Sequence, residues 1–355
     1  MLPVQAPDTE KRAKITLGAI RWDAWTAHDG VPDSVISQVE RSLSPARFHW
    51  RAPFFAEVSK EGKILIPAYT QEIFDTEMAY AIEAGIDYFA YVWYSDAMKA
   101  AREFHTASRY KNAVKLCACL DGNAIGKEFT HRELEQLFSK EYYMTVQNNR
   151  PLMYYFASSK TLALIAEDIR YYREAAKRAG VGAPYAVIMN KPPETARAVC
   201  ADAVSAYAIE GEQNNPFSAV ASRARARWEE WQSSGMPYVP TVSFGWNPEP
   251  RYVNPVSWMT VENNTWAAPA SADEIRAHLL SALSYMAQPA VAKQTEASTL
   301  IAYAWNEHDE GGWLCPTLAV DENGNPLYQK DGTKIINAER IAAVRAALTE
   351  FGKGK

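Results

Sequence analysis

Apolar positions along the chain gather into short continuous runs, separated by longer stretches in which they recur every three to four residues. The runs fall at 15–25 (ITLGAIRWDAW), 87–94 (DYFAYVWY), 114–120 (VKLCACL), 151–157 (PLMYYFA), 185–189 (YAVIM), 203–209, 238–246 and 300–305. Continuous apolar runs of this length are what parallel strands covered on both faces require. Helical patterns intervene at about 71–84, 97–111, 130–141, 160–179, 193–200, 217–233 and 272–287, with a last one at 338–351. The stretch 71–84 shows the logic: Ile73, Met78, Ala81 and Ile82 share one face, and Gly85 follows as a C-terminal stop. Eight strand-then-helix units predict an α/β protein folded as a single (β/α)8 barrel, with insertions after strands one and eight. The domain division expected is a flexible N-terminal segment, 1–14, and a barrel over 15–355. A doubly wound open sheet would put a glycine-rich phosphate turn after an early strand, but the turn here reads Arg21-Trp22-Asp23-Ala24-Trp25.

Composition narrows the function classes. At 355 residues, with 48% hydrophobic and 22% charged positions, the chain has enough apolar content for a large core, which excludes disorder and coiled coil. A net charge of −5 without any basic block argues against nucleic acid as a partner. No apolar run reaches the length of about 18 residues expected of a membrane span. The opening MLPVQAPDTEKRAK lacks the apolar centre of a signal peptide and suits a mature N-terminus. A secreted or periplasmic location is therefore expected, with the cytoplasm as the alternative. Cys117, Cys119, Cys200 and Cys315 show neither zinc-finger spacing nor a disulfide framework and are expected to be buried small hydrophobes. Eleven Trp and 19 Tyr supply flat faces with polar edges, the surfaces on which sugar rings stack.

In a barrel the chemistry collects where strands end, and these ends are polar and aromatic. They read Trp22 and Asp23 after the first strand, Trp93-Tyr94-Ser95-Asp96 after the second, Asp121 after the third, Tyr154-Tyr155 at the fourth and Asn190 after the fifth. Trp246-Asn247 with Arg251 follows the seventh, and Trp305-Asn306-Glu307-His308-Asp309-Glu310-Gly311-Gly312 follows the eighth. Glycoside cleavage needs two carboxyl groups in different environments, and Glu307 and Glu310 can supply both. On a helical turn the i, i+3 spacing would place them on one face. A metal would compete for Glu307, His308, Asp309 and Glu310, but successive strand residues point to opposite faces, so no metal or other cofactor is expected. The other histidines lack H-x-H or H-E-x-x-H spacing, and no G-x-S-x-G elbow offers a serine nucleophile.

The segment Trp305-Asn306-Glu307-His308-Asp309-Glu310-Gly311 resembles the W-N-E-x-x-E-G signature of glycoside hydrolase family 99, the endo-α-mannosidase-type enzymes, and of related polysaccharide-biosynthesis proteins. Ala84-Gly85-Ile86-Asp87-Tyr88-Phe89 with Trp93-Tyr94, and Gly245-Trp246-Asn247 with Pro250-Arg251, are similar to further segments of that superfamily. The resemblance implies a metal-independent retaining glycosidase whose substrate 2-hydroxyl acts as internal nucleophile. Glu307 would be the base at that hydroxyl and Glu310 the acid at the leaving oxygen. Three departures stand out: His308 and Asp309 fill the two central positions, Asn247 replaces an Asp, and Glu249 replaces a Ser or Thr. Asp309 thereby becomes a second candidate for the acid. The expected substrate-binding set is Trp22, Asp23, Trp93, Tyr94, Asp121, Tyr155, Asn190, Trp246, Asn247, Arg251, Asn306 and Asp309. The expected partner is an oligo- or polysaccharide with an α-linkage. A glycosyltransferase or biosynthesis factor and a non-catalytic glycan-binding barrel are the alternatives.

Overall fold

A computed structural model describes residues 15–23, 25–26, 34–94, 99–156, 160–211, 215–259 and 266–353. The predicted segment 1–14 and the rim residues Ala24, Ser95 and Asp96 lie outside the described residues. Eight parallel strands form the centre: β1 (Thr16–Arg21), β2 (Tyr88–Trp93), β3 (Lys115–Asp121), β4 (Arg150–Phe156), β5 (Tyr185–Met189), β6 (Ala203–Ser205), β7 (Thr241–Ser243) and β8 (Thr299–Tyr303). Each strand lies beside its successor, and β8 pairs with both β7 and β1. A parallel bridge from Val204 to Tyr238 joins β6 to the chain leading into β7. The result is the (β/α)8 barrel that the alternation predicts.

Helices alternate with the strands: α1 (Val35–Leu43), α2 (Gln71–Ala84), α3 (Lys99–Ala107), α4 (Glu128–Leu137), α5 (Leu162–Arg178), α6 (Pro193–Ala198), α7 (Phe217–Ser234), α8 (Glu249–Val253), α9 (Ala272–Met286), α10 (Pro289–Gln294) and α11 (Glu339–Lys353). Local chemistry sets their ends. The Thr70 hydroxyl accepts from Ile73 N to start α2, Gly85 closes it in the left-handed region, and Ser271 with Glu274 forms a reciprocal cap on α9. The excursions after β1 and β8 are joined by a third between β7 and α9, which carries α8.

Several strands stop earlier than their apolar runs. Beyond Ser205 the backbone is held by side chains instead of a neighbouring strand: Ala206 N donates to Thr241 Oγ1 and Tyr207 N to Asn190 Oδ1. Trp22 N likewise donates to Asn306 Oδ1 at 2.8 Å. The apolar run thus continues past the ladder into the rim, which is how Trp22 and Tyr207 come to face a cavity. Inside the barrel, the hydroxyls of Tyr88, Tyr154 and Thr299 meet across the floor at 2.7 and 3.0 Å. Cys117, Cys119 and Cys315 are buried as expected, whereas Cys200 is exposed, because the chain leaves α6 there with a positive φ of 58°. Among the described residues no helix is long and apolar enough to cross a membrane.

Candidate active site

The eighth strand does not run into a helical turn. Asn306 and Glu307 pair antiparallel with Trp313 and Gly312, so residues 306–313 form a tight hairpin over the C-terminal mouth of the barrel. Hairpin geometry, and not the helical i, i+3 spacing, brings Glu307 and Glu310 to one place. Both line a cavity of about 520 Å³ together with Trp22, Tyr94, Asn190, Trp246 and Arg251.

Arg251, on α8, organises the acids. Its Nε and Nη2 donate to the two oxygens of Asp309, each at 2.8 Å. Its Nη1 donates to Glu310 Oε1, and Nη2 also lies 3.6 Å from Glu307 Oε2. The guanidinium therefore occupies the position between the carboxylates. Neutral donors complete the cluster: Tyr207 Oη reaches Glu307 Oε1 at 3.0 Å, Tyr303 Oη reaches Glu310 Oε2, and Ser42 Oγ reaches Asp309 Oδ2 at 3.2 Å. Glu307 Oε2 is buried without a hydrogen-bond partner among the described residues.

Burial raises the Glu307 carboxyl well above the usual range, the nearby Glu310 and Asp309 add to the rise, and Arg251 opposes it. Burial, followed by Glu307 at Tyr207 and by Glu310 and Glu307 at Tyr303, raises both hydroxyls and keeps them as neutral donors. His308 is pushed down to about 3 by burial and is a neutral ring, packed against Trp25 and Trp313 with Nδ1 2.7 Å from Arg51 O. His308, in the turn of the hairpin, thus faces away from the acids.

Not every predicted binding residue reaches the cavity. Trp93 and Tyr155 point outward, the alternates of inward Val92 and Tyr154: Trp93 Nε1 donates to Glu133 beneath the Arg102 guanidinium, and Tyr155 lies near Asp168 and Tyr172 of α5. Asp23 pairs with Arg21 at 2.7 Å, below the rim, in a cluster with Glu77 and Tyr69. Burial, against the pull of Arg21, pushes the Asp23 carboxyl up to about 6. Asp121 accepts from Asn123 N in its own turn. Asn247 and Asn306 are scaffold amides. Asn247 accepts from Arg51 and donates to Ala267 O, while Asn306 donates to Trp22 O at 2.6 Å and accepts from its N. Asp309, the alternative acid, is sealed behind Arg251 and does not line the cavity. Asp23, Trp93, Asp121, Tyr155, Asn247, Asn306 and Asp309 are thus not among the residues that line the cavity.

Reading the sequence alone missed Val35, Phe156, Tyr207, Ala208, Glu210 and Trp258 of the lining. Tyr207, stacked on Phe156 at 4.4 Å, lies inside the apolar run 203–209, beyond the end of β6 at Ser205, and nothing in that run sets it apart. Trp258 is 40% exposed, faces Trp22 at 5.8 Å and lies in a loop without periodicity, so nothing local marked it.

No protein-family model matches the chain, and no curated protein does. Solved structures do match. Two structures of the GH99 endo-alpha-mannosidase from Bacteroides thetaiotaomicron, one in complex with BIS-TRIS-propane, align with a TM-score of 0.55 at 15% identity. The alignments cover 95% and 96% of this chain and 97% and 98% of theirs. This chain shares the fold of that mannosidase. The correspondence runs over nearly the full length of both chains.

Proposed function

We propose that the protein is a retaining glycoside hydrolase acting on an α-linked glycan, with Glu307 and Glu310 as its acid/base pair. The observation that carries this reading is the meeting of those two carboxyls, bridged by one buried arginine, on the wall of an aromatic cavity at the C-terminal mouth of the barrel. Trp22, Trp246, Trp258 and Tyr94 offer stacking faces and polar edges to sugar rings. The GH99 fold adds α-mannosides as the first substrates to try.

The chemistry follows the resemblance. Glu307 takes the proton of the substrate 2-hydroxyl as that oxygen attacks the anomeric carbon. The glycosidic bond breaks, and Glu310 protonates the departing oxygen. Glu310 then takes a proton from water, whose oxygen opens the 1,2-anhydro ring at the anomeric carbon, while Glu307 returns its proton to the 2-oxygen. Retention results from two displacements. An intramolecular oxygen begins at high effective concentration, so the protein need only move protons and hold the ring.

The test is Glu307→Gln and Glu310→Gln on a panel of α-linked oligosaccharides, with NMR of the first-formed anomer. Each substitution is expected to lower turnover by about 10²–10⁴-fold with the fold intact. Near-normal hydrolysis by both variants, or an inverted first product, would sink the reading.

A further inference from the structure

Asp309 is one of the residues by which this chain departs from the motif it resembles, and the structure gives it a specific partner. Glu307, Asp309 and Glu310 surround one guanidinium, and among the described residues no second Lys or Arg pairs with any of them within 4 Å. The groups facing Glu307 are Tyr94 after β2, Tyr207 after β6, Arg251 on α8, and Asp309 and Glu310 on its own hairpin; Tyr303 of β8 stands behind Glu310. Only Arg251 among these is a cation. Arg251 is the cation in direct contact with the three carboxyls, with buried Arg51 farther off on the Asp309 side, and the carboxyl that lacks a guanidinium hydrogen bond is the one placed to keep a proton.

Asp309 takes two of the guanidinium's donors, Nε and Nη2, in a two-pronged seat at 2.8 Å. That seat fixes the plane of the group and leaves Nη1 aimed at Glu310. Glu307 is left with a 3.6 Å approach to Nη2, one tyrosine hydroxyl, and an oxygen buried without a partner. We propose that Asp309 is a positioning residue: by seating Arg251 against Glu310 it leaves Glu307 without a guanidinium hydrogen bond, and so stores the resting proton of the pair on Glu307.

The inference rests on the glycosidase reading only for what that proton is used for. In the scheme above Glu310 must hold the proton before the bond breaks, so the pair exchanges it on substrate entry: Glu307 gives up one proton and Glu310 gains one. The count does not change, and the two arrangements are tautomers of one singly protonated pair. A leaving-group oxygen seated at Glu310 would displace Nη1 and drive the exchange.

Carboxyl ¹³C NMR titration of the full chain tests this without substrate, with Glu307→Gln and Glu310→Gln identifying the two signals. In the unsubstituted protein Glu307 is expected to remain protonated well above the usual carboxylate range; a Glu307 carboxylate signal at neutral pH overturns the proposal. Asp309→Asn removes one negative charge beside Arg251 and should lower the Glu307 midpoint by about one pH unit or more. A folded Asp309→Asn protein with an unmoved Glu307 midpoint also overturns it. Should that variant fail to fold, Arg251→Lys keeps the charge but loses the two-pronged seat. The Glu307 midpoint should then fall, and an unchanged Glu307 midpoint counts against the proposal. If hydrolysis is found, the alkaline limb of its pH profile should move to lower pH in Asp309→Asn, an effect a purely structural role would not produce. Titrations that behave as expected in a protein that cleaves no glycan leave this inference standing and remove the glycosidase reading.

Discussion

Two glycines let the acid-bearing hairpin close over the barrel. Gly245 has φ of 153° and Gly311 φ of 85°, and the two loops touch backbone to backbone, with Asn247 N donating to Glu310 O at 2.6 Å. A methyl group on Gly245 would run into Gly311 O, and one on Gly311 would stand 2.6 Å from Asn247 N. Neither obstacle is a flexible side-chain tip, so relief requires the loops to part. Gly245→Ala should cost about 1–3 kcal/mol of stability and lower turnover by more than the lost folded fraction, because the hairpin carrying both glutamates shifts. Denaturation and activity measured on the same preparation check this; unchanged values for both would show that the loops have room to spare. The doublet Gly311-Gly312 is plain in the sequence, but its purpose is visible only once a second loop lies against it.

At the scale of elements, the cavity wall is an alliance between distant excursions. α1 follows β1 and α8 follows β7, yet Gln38 Oε1 accepts from Ser257 N at 2.6 Å, and Asn254 Nδ2 donates to Arg41 O at 3.1 Å. These bonds hold the loop that carries Trp258 beside the helix that carries Val35. Gln38→Ala removes the acceptor of a half-buried backbone donor, a loss of roughly 1 kcal/mol. KM for a cleaved glycan is therefore expected to rise by about five-fold with kcat little changed, since Glu307 and Glu310 sit on the separate hairpin. A fall in kcat at unchanged KM would show that this wall positions the acids and not the sugar. Residues over 200 positions apart make these contacts, so neither strand pattern nor helix periodicity points to them.

For the whole molecule, buried ionisable groups set the response to acid. Burial holds His105 near 3, His278 near 4 and His308 near 3, all below the ordinary histidine value. The unfolded chain takes up protons at these rings below about 6.5, whereas the folded chain does not. Stability therefore falls as pH drops from about 6.5 towards 4, by up to about 1.4 kcal/mol per pH unit for each ring. Asp23 works the other way: its carboxyl, raised to about 6, binds a proton more readily in the folded state, so its contribution is lost as pH rises from about 4 to 6. Glu307, raised well above the usual range by burial, acts in the same direction as Asp23, and three groups against these two leave the histidines dominant. Urea midpoints should be lower at pH 5 than at pH 7, and equal midpoints would contradict the neutral burial of these rings.

Local patterning along the chain is enough to specify the barrel and the polar and aromatic residues at the ends of its strands. Continuous apolar runs and helical periodicity are local properties, and Gly85 and the Ser271 cap mark element ends within a few residues of themselves. The sequence also held the E-x-x-E segment that supplies both glutamates. Tertiary structure alone decided which rim residues face inward, because a strand's two-residue alternation does not say which face meets the barrel axis; Trp93 and Tyr155 turned out and Trp22 turned in. It decided that a hairpin, not a helical turn, joins Glu307 to Glu310, and that Arg251 stands among three acids. The reason is physical: a side chain's role in a buried site depends on the charges and walls around it, and here those come from strands and loops brought together only when the barrel closes.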